Sequence, residues 1–386
     1  MVRILITGDN HLNLYNQKLG ARLNERRGRI GKAWWKTIDY AVENKIDLYI
    51  HTGDLFDQIS PRNPPRARVV EGFKALKDAG IKAYIVAGNH EAPSNSRDGA
   101  SPHSLLREAE LANVFDSYTE LQQYKIEIDG VEISIAGKSY NRNLDTREDP
   151  IKGTQIPGGG ELNIAVLHYS IEKIAPPIWE EPVIKMSSIE ENGHIQLFAM
   201  GHIHKHTETP VNDSLIIYPG GTERYNFGEH DKETGFVVAD YTDGKLTTEY
   251  VKVESQPMKQ VKLHTSHMDH DDLTGSINNT IIENSNEDGL FQLVLEGELP
   301  FKKYASINFS EIGDQGTQLN FFFEYIDIIK PTGEGIEFTP SEGLNPRKRL
   351  EDMAKEVIDS SEGREKEVWQ KALEYAVEYY VKEEEA

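Results

Sequence analysis

Five short segments within residues 8–204 gather aspartate, asparagine and histidine: "GDNH" (8–11), "GDLFD" (53–57), "GNHE" (88–91), "LHYS" (167–170) and "GHIH" (201–204). Each follows an apolar run directly. The chain has no cysteine, so a metal can be held only by oxygen and imidazole nitrogen. Asp, Asn and neutral His together suit Mn²⁺, Fe²⁺ or Zn²⁺, whereas the imidazoles disfavour a purely Mg²⁺ or Ca²⁺ site. The Asp-x-His and His-x-His spacings let both side chains of a pair reach one point where a strand end bends. One such segment alone is weak evidence. Five in succession, each at a strand end, point to a polynuclear metal site.

The apolar runs predict the elements that position these residues. "VRILIT" (2–7) reads as a buried strand, "AWWKTIDYAVENK" (33–45) as a helix, and "IDLYIHT" (46–52) as a strand. "ARVVEGFKALKDAG" (67–80) has helical apolar spacing and a terminal glycine, "IKAYIVA" is the next strand, and "SPHSLLREAELANVF" reads as another helix. This β-α-β-α-β order predicts a sheet covered by helices, with right-handed crossovers. In such sheets ligands gather beyond the carboxyl ends of the strands. From 124 onward the pattern turns to hairpins, beginning with "YKIEIDGVEISIAG" around an Asp-Gly turn. The main domain is expected to span 1–255, a small second domain 256–330, a linker 331–345 and a helical tail 346–386. In the tail, Leu350, Met353, Ala354, Val357 and Ile358 share one helical face, and Trp369, Leu373, Ala376 and Tyr380 share another. Two such helices cannot bury their apolar faces alone, which predicts a partner.

The formal net charge is −22, which by itself argues against nucleic acid. Its distribution reverses that reading. Residues 1–120 hold 17 basic and 15 acidic residues, a balance of +2, and the remaining 25 basic and 49 acidic give −24. "KLGARLNERRGRIGKAWWK" (18–36) has seven basic residues and one acidic residue. The expectation is a DNA-facing loop there, with Arg22, Arg26, Arg27 and Arg29 contacting phosphates and Arg62 and Arg66 of "SPRNPPRAR" at the rim. The first residues lack the basic and apolar regions of a signal peptide, and no apolar run is long enough to span a membrane. A cytoplasmic protein that does not engage a membrane is expected.

The ordered motifs resemble those of the calcineurin-like metallophosphoesterase superfamily, most of all its double-strand-break repair branch, the meiotic-recombination-eleven or SbcD-type nucleases. "YPGGTERYNFGE" (218–229) is also similar to that branch. The resemblance implies a four-layer α-β-β-α sandwich, a small α+β capping domain and a C-terminal helix-loop-helix tail. It implies two divalent ions, with Mn²⁺ the expected metal: Asp9, His11 and His204 on one, Asn89, His168 and His202 on the other, and Asp54 bridging. Two such ions can clamp a phosphodiester and activate water for in-line attack. His90 would stabilise the transition state or protonate the leaving group, oriented by Asp57. Many archaeal and eukaryotic members carry histidine where Asp57 stands. Further implications are 3′-to-5′ exonuclease activity on duplex ends, endonuclease activity on single strands, a homodimer, and a coiled-coil ABC-type ATPase gripped by the tail through Leu350, Val357, Trp369 and Leu373.

Other histidines are read differently. His51 is expected to be a strand residue and His206 an exposed one, and "HTSHMDHDD" (264–272) a solvated loop. A metallophosphoesterase acting on cyclic nucleotides or phosphomonoesters would keep the same metal site. It would have no use for the basic segment, the second domain or the tail.

Overall fold

The computed structural model describes residues 1–94, 99–174 and 181–333, and in the tail Ile358, Lys366, Trp369, Lys371 and Leu373. The chain divides into two compact units, Met1–Gly297 with Ser306–Ile329, and Glu298–Ala305 with Lys330–Ala386.

The first unit is built on two six-stranded sheets. From edge to edge, one runs Lys245–Lys252, Gly235–Thr242, Val2–Thr7, Leu48–His51, Lys82–Val86 and Asn113–Phe115. The other runs Thr207–Val211, Ser214–Tyr218, Leu197–Gly201, Leu162–His168, Val131–Gly137 and Gln122–Ile128. Their facing sides share one apolar core, where Ile4, Ile6, Leu48 and Ile50 meet Ile133, Ile135, Ile164 and Leu197. Each such side chain contributes about 1.5–3 kcal/mol on burial. Sheets buried on both faces explain why the strands read as continuous apolar runs rather than alternating ones.

Helices α1 (Leu23–Glu43) and α2 (Asn63–Asp78) cover the outer face of the first sheet, burying Ile30, Trp34, Ile38, Val69, Phe73 and Leu76. The second sheet's outer layer is thinner: loops carrying Ile151 and Ile156, the short helix Met186–Glu190, and the strands Ser170–Ile171 and Val183–Ile184. The α-β-β-α order is present, with the outermost layer mostly loop.

Two expectations are corrected. The first helix begins at Leu23, not near Ala33, so most of the basic segment 18–36 is helix rather than loop. Its buried stripe runs back through Ile30 to Arg26, whose charge is paired and therefore hides the helical face from an apolar count. The helix expected over 101–115 is only Ser104–Glu108. Glu110 takes a left-handed φ of 53°, and Asn113–Phe115 leaves to pair with Lys82–Val86. A three-stranded sheet of Met258–His264, Leu290–Pro300 and Phe322–Thr332 carries the helices Leu273–Asn284 and Phe309–Leu319. No helix among the described residues is long and apolar enough to cross a membrane.

Candidate metal centre

The parallel strands of the first sheet end together, with Thr7 level with His51 and His51 with Ile85. In the second sheet Gly201 is level with His168. This register sets Asp9, Asp54, Asn89, His168 and His202 at one edge of the sandwich. The first two loops are then zipped together: Asp9 N donates to Gly53 O, His11 N to Asp54 O and Leu12 N to Leu55 O, at 3.0, 3.0 and 2.8 Å. Glu91, fully buried, accepts Phe56 N–H (2.7 Å), Gly88 N–H (3.1 Å) and His103 Nε2 (2.8 Å), tying the second loop to the third. A Cβ at Gly88 would lie 2.2 Å from Asp54 Oδ1, so this close approach requires glycine.

The backbone is strained where the candidate ligand residues lie. Asp9, His11 and Asp54 have φ of 49°, 49° and 51°, and His202 has 92°. Left-handed conformations in non-glycine residues cost about 1–3 kcal/mol each and gather at functional sites.

Hydrogen bonds fix where each imidazole aims its lone pair. His168 Nδ1 donates to Thr52 O (2.8 Å), and His202 Nε2 donates to Glu181 Oε2 (2.7 Å). The opposite nitrogens, His168 Nε2 and His202 Nδ1, both lie 3.0 Å from Asn89 Oδ1, an acceptor. Three lone-pair atoms therefore converge with no proton assigned between them. On the other side His204 Nδ1 donates to Glu229 Oε1 (2.7 Å), and His204 Nε2 faces His11 Nε2 at 3.0 Å. Asp9 Oδ1 accepts His202 N–H (3.0 Å), but Asp9 Oδ2 is buried without a hydrogen-bond partner among the described residues. Asp9, His11 and His204 offer atoms within 4.8 Å of one another, as do Asp9, Asp54 and His168. Asp54 Oδ2 sits between the halves, 3.3 Å from His168 Nε2 and 3.9 Å from His11 Nε2. Converging lone pairs and an orphaned buried carboxylate oxygen fit two divalent ions with Asp54 shared.

The metal-free electrostatics agree. Burial opposes ionisation of Asp54, yet His168, His90 and His11 hold its pKa well below the usual carboxylate range. Burial disfavours a charged His168, but Asp54 outweighs it and lifts the imidazole to about 9. Burial also works against a charged His204, which Glu229 raises overall. In the absence of a cation, protons take the positions that a cation would fill.

His90 lies on the rim with its side chain 31% exposed; its Nδ1 is 3.1 Å from Asp57 O and 3.5 Å from Asp57 Oδ1. Asp57 Oδ1 is also 3.3 Å from His11 Nδ1, an ion-pair distance rather than a hydrogen bond, while Asp57 Oδ2 accepts Tyr15 N–H at 2.7 Å. Tyr225 packs against His11, His204 and His90 with ring centroids 4.5, 5.7 and 6.1 Å apart.

Other residues fall elsewhere. His51 is buried, bonded through Nε2 to Asn10 Oδ1 (2.6 Å) while Nδ1 accepts Gly53 N–H (3.2 Å). Asn10 in turn donates to Thr222 Oγ1 (2.9 Å), bracing the first loop from behind. His206 is half-buried rather than exposed, stacked on Tyr250 at 4.0 Å. Arg26 is corrected as a DNA contact. It is 1% exposed and committed to Glu223 (3.0 Å), Gln256 Oε1 (3.0 Å) and the Arg224 carbonyl. Arg22 pairs with Glu25, and Arg29 with Glu25 and Asp288. Arg27, Arg62 and Arg66 form no ion pair among the described residues. Of the tail residues, Leu350 and Val357 lie outside the described residues; Trp369 is 41% exposed and Leu373 half-buried.

The sequence reading missed Glu181, Glu229, Glu91 and Tyr225. Glu91 and Glu229 stood inside quoted motifs, "GNHE" and "YNFGE", and acidic residues beside imidazoles were a usable signal. Glu181 had none.

Strand-end Asp, Asn and His donors on two facing sheets, with Asp54 between them, make a candidate metal centre at the edge of the sandwich. The calcineurin-like phosphoesterase family matches residues 2–206, and the chain belongs to that family; it is a metal-dependent phosphodiesterase. It is similar to the DNA double-strand break repair protein Mre11 of Methanocaldococcus jannaschii, 29% identical over 66% of this chain and 68% of that protein. The proteins of the same name from Methanococcus maripaludis and Saccharolobus solfataricus are 31% and 25% identical. Those alignments cover 57% and 77% of this chain and 57% and 76% of the relatives.

Proposed function

We propose that this phosphodiesterase is a DNA repair nuclease acting at double-strand breaks. The observation that carries the chemistry is the convergence of Asn89 Oδ1, His168 Nε2 and His202 Nδ1 beside the Asp9, His11 and His204 group, with Asp54 between. The direction toward DNA is supported by similarity to proteins named for double-strand break repair, and by Arg27, Arg62 and Arg66, which form no ion pair among the described residues. Bound divalent ions would supply Lewis-acid activation of the phosphodiester and of water; Mn²⁺ is our proposal for them.

The chain's residues orient and exclude. Thr52 O, Glu181 and Glu229 fix the imidazole tautomers. Asp57 O holds His90 Nδ1, which leaves Nε2 to exchange a proton with the leaving oxygen. Tyr225 walls off one side with its ring. We further propose exonuclease activity, 3′ to 5′, on duplex ends, endonuclease activity on single strands, a homodimer, a cytoplasmic location, and a coiled-coil ATPase engaged by the tail.

The test compares Mn²⁺-dependent cleavage of duplex and hairpin DNA with hydrolysis of a small phosphodiester. Cleavage of DNA is expected, and hydrolysis of the small ester alone would establish the non-DNA alternative. His90→Ala is expected to reduce cleavage roughly a hundred- to ten-thousand-fold with metal content unchanged; full activity would remove the role given to His90.

A further inference from the structure

Beside the metal centre a cavity of about 440 Å³ opens between α1 and the first turn of α2. Leu12 and Asn13, the residues directly after His11, reach into it, and Pro64 and Pro65 form an apolar wall. Three arginines also line it: Arg27, Arg62 and Arg68. Arg27 Nε donates to Leu14 O at 2.7 Å, which aims the guanidinium. Burial, and then the charge of Arg62, pulls the Arg27 pKa below its usual value, so these two cations repel across the cavity. Arg68 lies over the Trp35 ring at 5.1 Å, with its buried Nε lacking a hydrogen-bond partner among the described residues. None of the three forms an ion pair among the described residues, although Glu71 lines the same space.

Three positive charges and one negative leave the lining at +2. Gathering like charges without counter-charges is unfavourable, and an anion resolves it. A phosphodiester carries one negative charge, whereas a phosphate monoester carries about 1.5–2 at neutral pH and three acceptor oxygens. Guanidinium forks match those oxygens in pairs. The volume lies in the range of about 300–1,000 Å³ common for small-molecule sites, and the proline and leucine wall suits a sugar or base. We propose that this cavity binds the terminal phosphate monoester of a nucleotide, carried by a free nucleoside monophosphate or by a phosphorylated strand end. The anion site stands on the cavity itself; its assignment to a nucleotide rests on the nuclease reading, since phosphodiester hydrolysis creates such a terminus.

The experiment is calorimetric titration of the full chain, freed of metal with chelator, so that binding to ions is excluded. The probes are thymidine 5′-monophosphate, thymidine, and a short oligothymidylate with and without a 5′-phosphate. Saturable binding of the monophosphate but not of thymidine is expected, weakened at least about tenfold by Arg62→Gln or Arg27→Gln. Lys74→Gln, on exposed α2 surface outside the cavity, is expected to bind as the parent chain does. Thermal melts verify that each variant is folded. Tighter binding of the phosphorylated oligonucleotide than of the monophosphate identifies a strand end as the source, and the reverse order a free nucleotide. The proposal is overturned if nothing phosphorylated binds at millimolar concentration, if Arg62→Gln binds equally well, or if oligonucleotides bind regardless of the 5′-phosphate. No turnover is measured, so a chain that binds the monophosphate yet cleaves no DNA refutes the nuclease reading alone.

Discussion

Replacing Glu229 by glutamine removes one charge and almost no volume, which tests its hold on His204. The Glu229 Oε1···His204 Nδ1 hydrogen bond is 2.7 Å long, between side chains 7% and 16% exposed, so solvent screens it little. Hydrogen bonds to charged groups are worth about 1.5–3 kcal/mol against about 0.5–1.5 for neutral ones. With its oxygen toward His204 the glutamine keeps that acceptor and loses the charge, a difference of about 1.4 kcal/mol, or tenfold in affinity, while its amide nitrogen takes the place of the oxygen that accepts Tyr225 N–H. The expected result is about tenfold weaker binding of the ion held by Asp9, His11 and His204, with the other ion little changed. Glu229→Ala also removes the acceptor that faces His204 Nδ1–H, moving the loss toward a hundredfold. Glu181→Gln is the mirror experiment: it acts on His202 and is expected to weaken the other ion. Two-site Mn²⁺ titration by calorimetry or electron paramagnetic resonance reads both. Equal weakening of both ions in Glu229→Gln, or a change under twofold, refutes the assignment of His204 to one ion and His202 to the other.

Three further outcomes follow from the same geometry. Metal-free His168 is raised from 6.5 unfolded to about 9 folded, so its stabilisation is present below pH 6.5 and lost as pH rises through about 9. Chelator-treated protein should melt lower at pH 9.5 than at pH 7, and metal uptake at pH 7 should release about one proton from this residue, measured by calorimetry in buffers of different ionisation enthalpy. Arg26→Ala leaves Glu223 buried without its cation and should destabilise the chain by about 3–5 kcal/mol in denaturant unfolding, whereas Arg26→Met with Glu223→Gln should recover part of it. Gly88→Ala places a methyl group 2.2 Å from Asp54 Oδ1, and should lower the bound metal from two ions per chain, measured by elemental analysis, while the unfolding midpoint moves only a few degrees.

The candidate metal centre was legible in the sequence because the proposed ligands stand at or shortly beyond strand ends, and a buried parallel strand is an unbroken apolar run. Asp9, Asp54 and His168 stand where such runs stop, and sheet register alone brings them together. The residues that orient those ligands obey no such rule. Glu181 reaches His202 across 21 positions and Glu229 reaches His204 across 25, from segments whose path only the folded chain defines. The basic segment was misread for a related reason. Seven cations in 19 residues look like solvated loop, but helical periodicity turns Arg26 inward toward Glu223 while Arg27, one position on, faces the cavity at α2.

That hundred-degree rotation between adjacent arginines bears on how an acidic chain can hold a polyanion. Counting charges along residues 18–36 treats every cation as equivalent. In the folded chain Arg22, Arg26 and Arg29 are already matched by Glu25, Glu223 and Asp288, leaving Arg27 among these four without an ion pair among the described residues. Its partners in charge are Arg62 and Arg68, supplied by α2 rather than by the basic segment. The proposed phosphate-binding surface therefore depends on which cations the fold leaves without an ion pair among the described residues. A net charge of −22 spread elsewhere does not oppose it at short range, since interactions between exposed charges fade over a Debye length of about 8–10 Å at physiological salt.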